Sequence, residues 1–457
     1  MRRWWLAGVV LTTALGCGGG ARTGGSSSIR TATDEQGRTV TTAGGQAVTA
    51  EAHDAWRSGL EAFGRYESAG WNEERCEEVR ERFEEAAQAQ GGRFAEAHYM
   101  AGLVAQRCGQ NDEARRLFNQ ALAANEKFCK ARVAIGLMQL DAGNANEAFA
   151  TFQRAVRDDI RCTEGYVNMA LIQRRRGGAE VREALANLRR AFAIDSNYLP
   201  AFNQMALLYL EQADTNPQVL DLAGVVCRQA QLIDPNYAPI YNTWGLINVR
   251  KGNIIEALRF FERATTLDNR MFEAFMNFGQ LVASFRGYED ARRAFARAVE
   301  LRPNDYDARI GLGAALRGLR QTAEAQAEYE RAIQIDPNRP EAYFNLGLLY
   351  QDYMSGSIED LERATRYYNN FIQRAGSNPR FASVVEELRR ECRDVLRQQS
   401  GRRQRRRSTD CRPGRLQNIR LALEQLRMVQ QMQQQAGGAA SGASPSSGAA
   451  GTPAPPP

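Results

Sequence analysis

The sequence predicts an all-α solenoid of antiparallel helix pairs, and three observations carry that prediction. A pattern of small and aromatic residues recurs at fixed period: Gly245, Ala257, Phe261 and Ala264 return as Gly279, Ala291, Phe295 and Ala298, then as Gly313, Ala325, Tyr329 and Ala332, each step being 34 residues. Asp-Pro-Asn or Arg-Pro-Asn punctuates the joints, where proline ends one helix before the next begins. At 457 residues and 43% hydrophobic, the chain has apolar surface for a large core, and a stacked array holds it without one large domain. The net charge of +6 is modest, and because Lys127, Lys130 and Lys251 are the only lysines, nearly all the positive charge is arginine. Composition points to no nucleic-acid partner.

In chain order, Arg2-Arg3 is followed by an apolar run, Trp4 to Leu15, too short to span a bilayer, and Ala14-Leu15-Gly16 precedes Cys17. Residues 1–17 resemble a bacterial lipoprotein signal and lipobox. The resemblance implies that Cys17 is acylated as residue one of the mature protein and, with Gly18 after it, that the protein is sorted to the outer membrane; the array is expected to face the periplasm. Residues 18–49, rich in Gly, Ser and Thr, read as a flexible linker.

Helical periodicity begins near Ala50 with an irregular pair carrying Trp56, Leu60 and Phe63, then Val79, Phe83 and Ala86. Units 95–128 and 129–162 fit the period without gaps, through Gly102, Ala114, Phe118 and Ala121, and through Gly136, Ala148, Phe152 and Ala155. Later units absorb extra residues in turns, at Gly177-Gly178, at Thr215-Asn216-Pro217 and at Ser355-Gly356-Ser357. A polar-faced closing helix is expected from Pro379 to Gln398, so residues 50–398 hold about nine helix pairs and a cap. Residues 399–412 form an Arg-rich linker, 413–435 an amphipathic helix striped by Leu416, Ile419, Leu423 and Leu426, and 436–457 a disordered tail. The arginine run reads either as a solvated charge block or as a contact for anionic lipid or an acidic partner. The stripe reads as a docking helix, a short coiled coil, or a helix packed back on the array.

The repeat resembles the tetratricopeptide repeat over about three quarters of the chain, residues 50–398. The resemblance implies a right-handed superhelix whose first helices line a concave peptide groove. Carried residue by residue onto this chain, the groove consists of Val133, Leu137, Val167, Leu171, Asn203, Leu207, Asn242, Leu246, Met276, Gln280, Phe344 and Leu348, with Arg174, Arg175, Arg250 and Arg317 along one edge. Such a lane suits an extended or helical peptide with some acidic groups; the alternative is that some of these apolar residues bury against neighbouring helices.

Cysteines are the main reactive groups. Cys227 sits at the buried aromatic position of its repeat, between Ala223 and Ala230, and reads as a small core residue. Cys76 and Cys108 fall at meeting ends of antiparallel helices, which favours a disulfide. Cys129 and Cys162 are a looser fit, bonded or free, because equivalent positions in neighbouring repeats can lie beyond the ~7 Å Cα limit. Cys392 and Cys411 flank the arginine run and could staple the distal helix to the cap.

His53 and His98 are the only histidines, and His98 takes a packing position, so the sequence predicts neither a metal site nor a cofactor. No phosphate loop or nucleophile elbow is present, and with essentially no strands the expectation is a non-enzymatic scaffold. Its layout resembles the repeat lipoproteins of myxobacterial gliding motility machines. Assembly lipoproteins for pilus or secretion secretins, or a recruiting subunit for a cell-wall enzyme, are the alternatives. Expected partners are envelope proteins or peptides and, through the lipid, the membrane.

Overall fold

The computed structural model of the chain describes residues 30–33, 39–43, 46–214, 216–354, 357–376, 378–386 and 388. Cys17, Cys392, Cys411, the arginine run and the segment 413–435 lie outside the described residues. Among the described residues eighteen α-helices follow one another as pairs. They are α1 (Ala50–Ala69) with α2 (Glu73–Ala89), α3 (Ala95–Arg107) with α4 (Asn111–Ala124), α5 (Cys129–Asp141) with α6 (Ala145–Asp158), α7 (Thr163–Arg176) with α8 (Glu180–Ile194), and α9 (Leu199–Gln212) with α10 (Val219–Ile233). Then come α11 (Ala238–Lys251) with α12 (Ile254–Leu267), α13 (Phe272–Ser284) with α14 (Tyr288–Leu301), α15 (Tyr306–Gly318) with α16 (Thr322–Ile335), and α17 (Glu341–Asp352) with α18 (Ile358–Ala375). From Ala50 to Ala375 the described residues are therefore an array of tetratricopeptide-type helix pairs. Of the expected closing helix, residues 382–386 are helical. No helix of the described residues is long and apolar enough to cross a membrane.

The period is a packing rule. In α6 the inward face is Ala148, Phe152 and Ala155, all fully buried, and the Phe152 ring fills the space left where Gly136 of α5 has no side chain. A Cβ at Gly136 would stand 2.4 Å from that ring, and one at Gly102 would stand 2.6 Å from Phe118. Glycine inside a helix costs about 1 kcal/mol of propensity, and the close approach it permits outweighs that cost. Gly136→Ala is accordingly expected to destabilise by about 1–3 kcal/mol, despite alanine's better propensity, because the ring must leave its rotamer; urea unfolding at unchanged slope would measure it.

Within the segment 18–49, read as a flexible linker, the described residues 30–33, 39–43 and 46–49 carry structure. Three short strands, β1 (Arg30–Thr33), β2 (Thr39–Ala43) and β3 (Gln46–Ala47), form an antiparallel sheet in the order β1-β2-β3, with Thr31 opposite Thr41 and Ala43 opposite Gln46. The β-branched alternation of Thr39-Val40-Thr41-Thr42 favours pairing although large apolar residues are lacking. Gln90, just past α2, ties the sheet's end to the first helix pair: its Oε1 accepts from Thr49 N at 2.9 Å and its Nε2 donates to Ala47 O at 2.7 Å. Ala43 and Val48 pack against Ala52, Ala86 and Phe94.

The described residues fall into two compact units divided at Ile247 and Asn248, within α11. The joint between the first and last residues of a 34-residue period is fastened differently in each unit. In the first, Cys129 and Cys162 are bonded, their Cα atoms 5.6 Å apart. That is closer than equivalent positions would bring them, because Cys129 is the first helical residue of α5 while Cys162 is the N-cap preceding α7. In the second, the corresponding Tyr306 and Arg339 stack with the guanidinium 3.9 Å from the ring, and Arg339 also donates to Asp307 at 2.6 and 3.1 Å. Arg302 over Phe272 and Arg374 over Tyr343 make similar stacks at 3.9 and 4.0 Å.

Helix ends show a second regularity. After α3, α5 and α11 the chain turns through Gly109, Gly143 and Gly252 at φ of 74°, 84° and 78°, with the next N–H reaching back to the carbonyl five residues earlier. This is the Schellman closure, whose left-handed position favours glycine. After α13 and α15 the same bonds form, Gly287 N to Val282 O and Gln321 N to Leu316 O, but Arg286 and Arg320 hold the left-handed position at φ of 64° and 63°. Each costs roughly 1 kcal/mol relative to glycine.

Candidate interaction surface

The first helices do not present the open lane expected from the repeat pattern. Val133, Val167, Leu171, Leu207, Leu246, Met276, Phe344 and Leu348 are all buried, Leu171 at 3% and Leu207 at 0% exposed, and Leu137 is half-buried. Val133 and Leu137 belong to one apolar cluster with Met169, Leu171 and Ile172 of the next first helix. Val167 joins Leu208 in another. Phe344 sits 5.1 Å from the Phe371 ring and 6.0 Å from Tyr368, in a core shared with Met276 and Leu348.

Polar members of the lane are buried as well. Asn203 accepts from Thr243 Oγ1 at 2.6 Å, Asn242 is 1% exposed, and Gln280 is buried with Oε1 lacking a hydrogen-bond partner. The physical reason is that these first helices pack directly on the first helices of adjacent repeats, α5 on α7, α7 on α9, α13 on α15 and α15 on α17. A signal was present in the sequence: the runs Tyr166–Ile172 and Ala342–Tyr350 contain no charged residue, and a helix apolar all round is a buried one.

Two of the four edge arginines are staples between repeats. Arg174 donates to Glu211 through Nη1 and to Gln204 Oε1 at 3.4 Å, both on α9. Arg317 Nη1 donates to Asn345 Oδ1 at 2.8 Å, from α15 to α17. Arg175 is half-buried, its Nε and Nη2 lack partners, and burial together with the Arg174 charge brings its pKa down to about 10. Arg250 is half-buried.

Other titratable groups behave as structural parts. Cys227 is fully buried, with its thiol pKa pushed far up by desolvation. His98 Nε2 lies 3.2 Å from Gly92 O, and burial lowers its pKa. Cys76 of α2 and Cys108 at the end of α3 are bonded, with Cα atoms 6.2 Å apart. Among the described residues the grouping able to hold a metal ion is Cys129, Cys162 and Glu164, whose two sulfurs are joined to each other.

Glu96 on α3 is buried with Oε1 unpartnered, and desolvation holds its carboxyl above the ordinary glutamate value. A carboxyl raised in the folded state stabilises fully below its unfolded pKa, and that contribution is lost as pH rises through the raised one. Glu96→Gln, neutral at every pH, is expected to stabilise the first unit at neutral pH and to flatten its pH dependence above the ordinary glutamate range. Thermal midpoints across acid to neutral pH would check this.

What remains on the surface is charge with a few apolar exceptions. Second helices are amphipathic and turn ion-paired faces outward, as with Glu289–Arg292 at 2.6 Å and Arg259–Glu256 at 2.7 Å. The exceptions include α10, which exposes Leu222, Val225 and Leu232, and the turn after α13, where Phe285 is 62% exposed; Ile160 after α6 and Ile255 on α12 are exposed as well. The period of the turn glycines, broken by Arg286 and Arg320, was the signal for that second place.

Repeat chemistry, helix pairing and stacking are those of a tetratricopeptide-repeat fold. Models of the tetratricopeptide repeat match residues 99–161 and 321–352. No curated protein matches the chain. Among solved structures it is similar to TTC0263, a thermophilic repeat protein of Thermus thermophilus, at 24% identity over 41% of this chain and 99% of that one, with a TM-score of 0.38. It is also similar to pilF of Pseudomonas aeruginosa, at 21% identity over 48% and 92% of the two chains, with a TM-score of 0.39. A third is YrrB, described as having an unusual peptide-binding site, at 22% identity over 42% and 95%, with a TM-score of 0.30.

Proposed function

We propose that the chain is a lipid-anchored interaction scaffold of a bacterial envelope, held at the outer membrane through Cys17 and turned to the periplasm. The observation that carries this reading is the pair of disulfides, Cys76–Cys108 and Cys129–Cys162, within one repeat array. Bonded cysteines belong to oxidising compartments, and the leader-like residues 1–17 supply a route there. Repeat arrays act by holding other proteins. Because the first-helix lane is packed, the binding surfaces are outer helix faces and turn edges. Within this class the layout fits a component or assembly factor of a gliding motility machine.

Fractionation tests the anchor. Cys17→Ser should move the protein from the membrane fraction to the soluble fraction, and its retention in the membrane would defeat the lipoprotein reading. Crosslinking in cells tests the scaffold: a reproducible set of envelope proteins should be captured, and capture of none would count against it.

A further inference from the structure

The turns that follow α13 and α15 carry two departures from the rest of the array. Arg286 and Arg320 occupy left-handed positions that Gly109, Gly143 and Gly252 hold elsewhere, and Phe285 beside Arg286 is 62% exposed. The two turns are neighbours: Tyr288, two residues past Arg286, lies against Gly318, two before Arg320, where an added Cβ would meet its ring at 2.4 Å. Both arginines are exposed, and neither makes an ion pair among the described residues. Arg320 lies 5.6 Å over the Tyr353 ring, which leaves its charge unneutralised. The nearby acids are taken, Glu289 by Arg292 and Asp290 by Arg293.

A strained arginine where glycine would relax the backbone points to a use for its side chain. We propose that the edge formed by Phe285, Arg286 and Arg320 is a docking strip for an acidic protein segment that carries an apolar side chain beside its carboxylates. The inference rests on the scaffold reading and names the partner chemistry of one of its surfaces. Carboxylates suit the arginine forks, and the exposed phenyl ring supplies the apolar contact. A lipid surface is the less suitable occupant, because polybasic lipid contacts use about four to eight basic residues and this edge has two.

The test uses the full chain and a labelled Glu-Glu-Leu-Glu-Glu-Leu peptide, with the Gln-for-Glu peptide and phosphatidylglycerol vesicles as separate arms. Arg286→Gly with Arg320→Gly is the informative variant, since it relieves strain and should raise the unfolding midpoint while weakening the acidic peptide by roughly fivefold or more. Arg286→Lys, which keeps the charge and loses the fork, should weaken binding less than Arg286→Gly, and Phe285→Ser should reduce it. Acidic and Gln peptides binding equally, or the double glycine variant binding like wild type, overturns the proposal. So does arginine-dependent binding of vesicles without peptide binding. Cellular capture that survives the double variant would sink this edge alone and leave the scaffold standing, whereas failure of capture by wild type would sink the scaffold.

Discussion

Reducing both disulfides in the folded chain is expected to lower the stability of the first unit by roughly 3–4 kcal/mol per bridge, on the loop-closure argument. The bridges close segments of similar size, with sequence separations of 32 and 33. Both join different helix pairs, Cys76 of the first to Cys108 of the second and Cys129 of the third to the residue preceding the fourth, so each restrains stacking rather than a single hairpin. The Cys76→Ala/Cys108→Ala and Cys129→Ala/Cys162→Ala variants should each reproduce part of the loss without reductant. Native-state hydrogen exchange resolves the effect by region. Protection should fall in α2 to α7 and stay level in α13 to α18, and equal loss in both regions would contradict the account.

Arg174→Ala is expected to cost about 3–5 kcal/mol, the range for breaking a buried pair. Arg174 is only 2% exposed, and it links α7 to α9 through Glu211 and Gln204. Removing it strips Glu211 of the larger of the two cationic contributions, from Arg174 and Arg175, that oppose its desolvation, and burial already holds that carboxyl above its ordinary value. The second half of the prediction is a change in pH dependence. With Arg174 gone the folded-state pKa of Glu211 should rise further, so that stability is lost over a wider span as pH climbs through it. Arg174→Met, which keeps much of the packing, paired with Glu211→Gln should recover part of the loss. A double-mutant cycle with no coupling would show the contact to be incidental.

The repeat period was legible because helix packing is a local, recurrent demand. Wherever Phe152 or Phe118 fills the second helix, Gly136 or Gly102 must face it. The cysteine positions were legible for a related reason, since antiparallel helices bring Cys76 and the end of α3 together. Two features escaped. The strands β1 to β3 are made of Arg, Thr, Val, Ala and Gln, small or polar residues whose pairing depends on β-propensity and on Gln90, which comes from 43 residues beyond Ala47. The accessibility of the first-helix lane depends on how tightly successive repeats stack, which no single repeat encodes. Leu171, named as groove-lining from its position, is a core residue, and charging it would report on folding rather than on partner binding.

The joint between the ends of a repeat, closed by Cys129–Cys162 in one unit and by Tyr306–Arg339 in the other, gives the two units different mechanical characters. A covalent staple does not creep under sustained load and is indifferent to ionic strength. A stacked, ion-paired arginine yields and re-forms, and it softens as salt screens its attraction to Asp307. Pulled from its two ends in an optical trap, the chain should therefore give way first in the second unit, at forces that fall with added salt. Reductant should make the first unit follow.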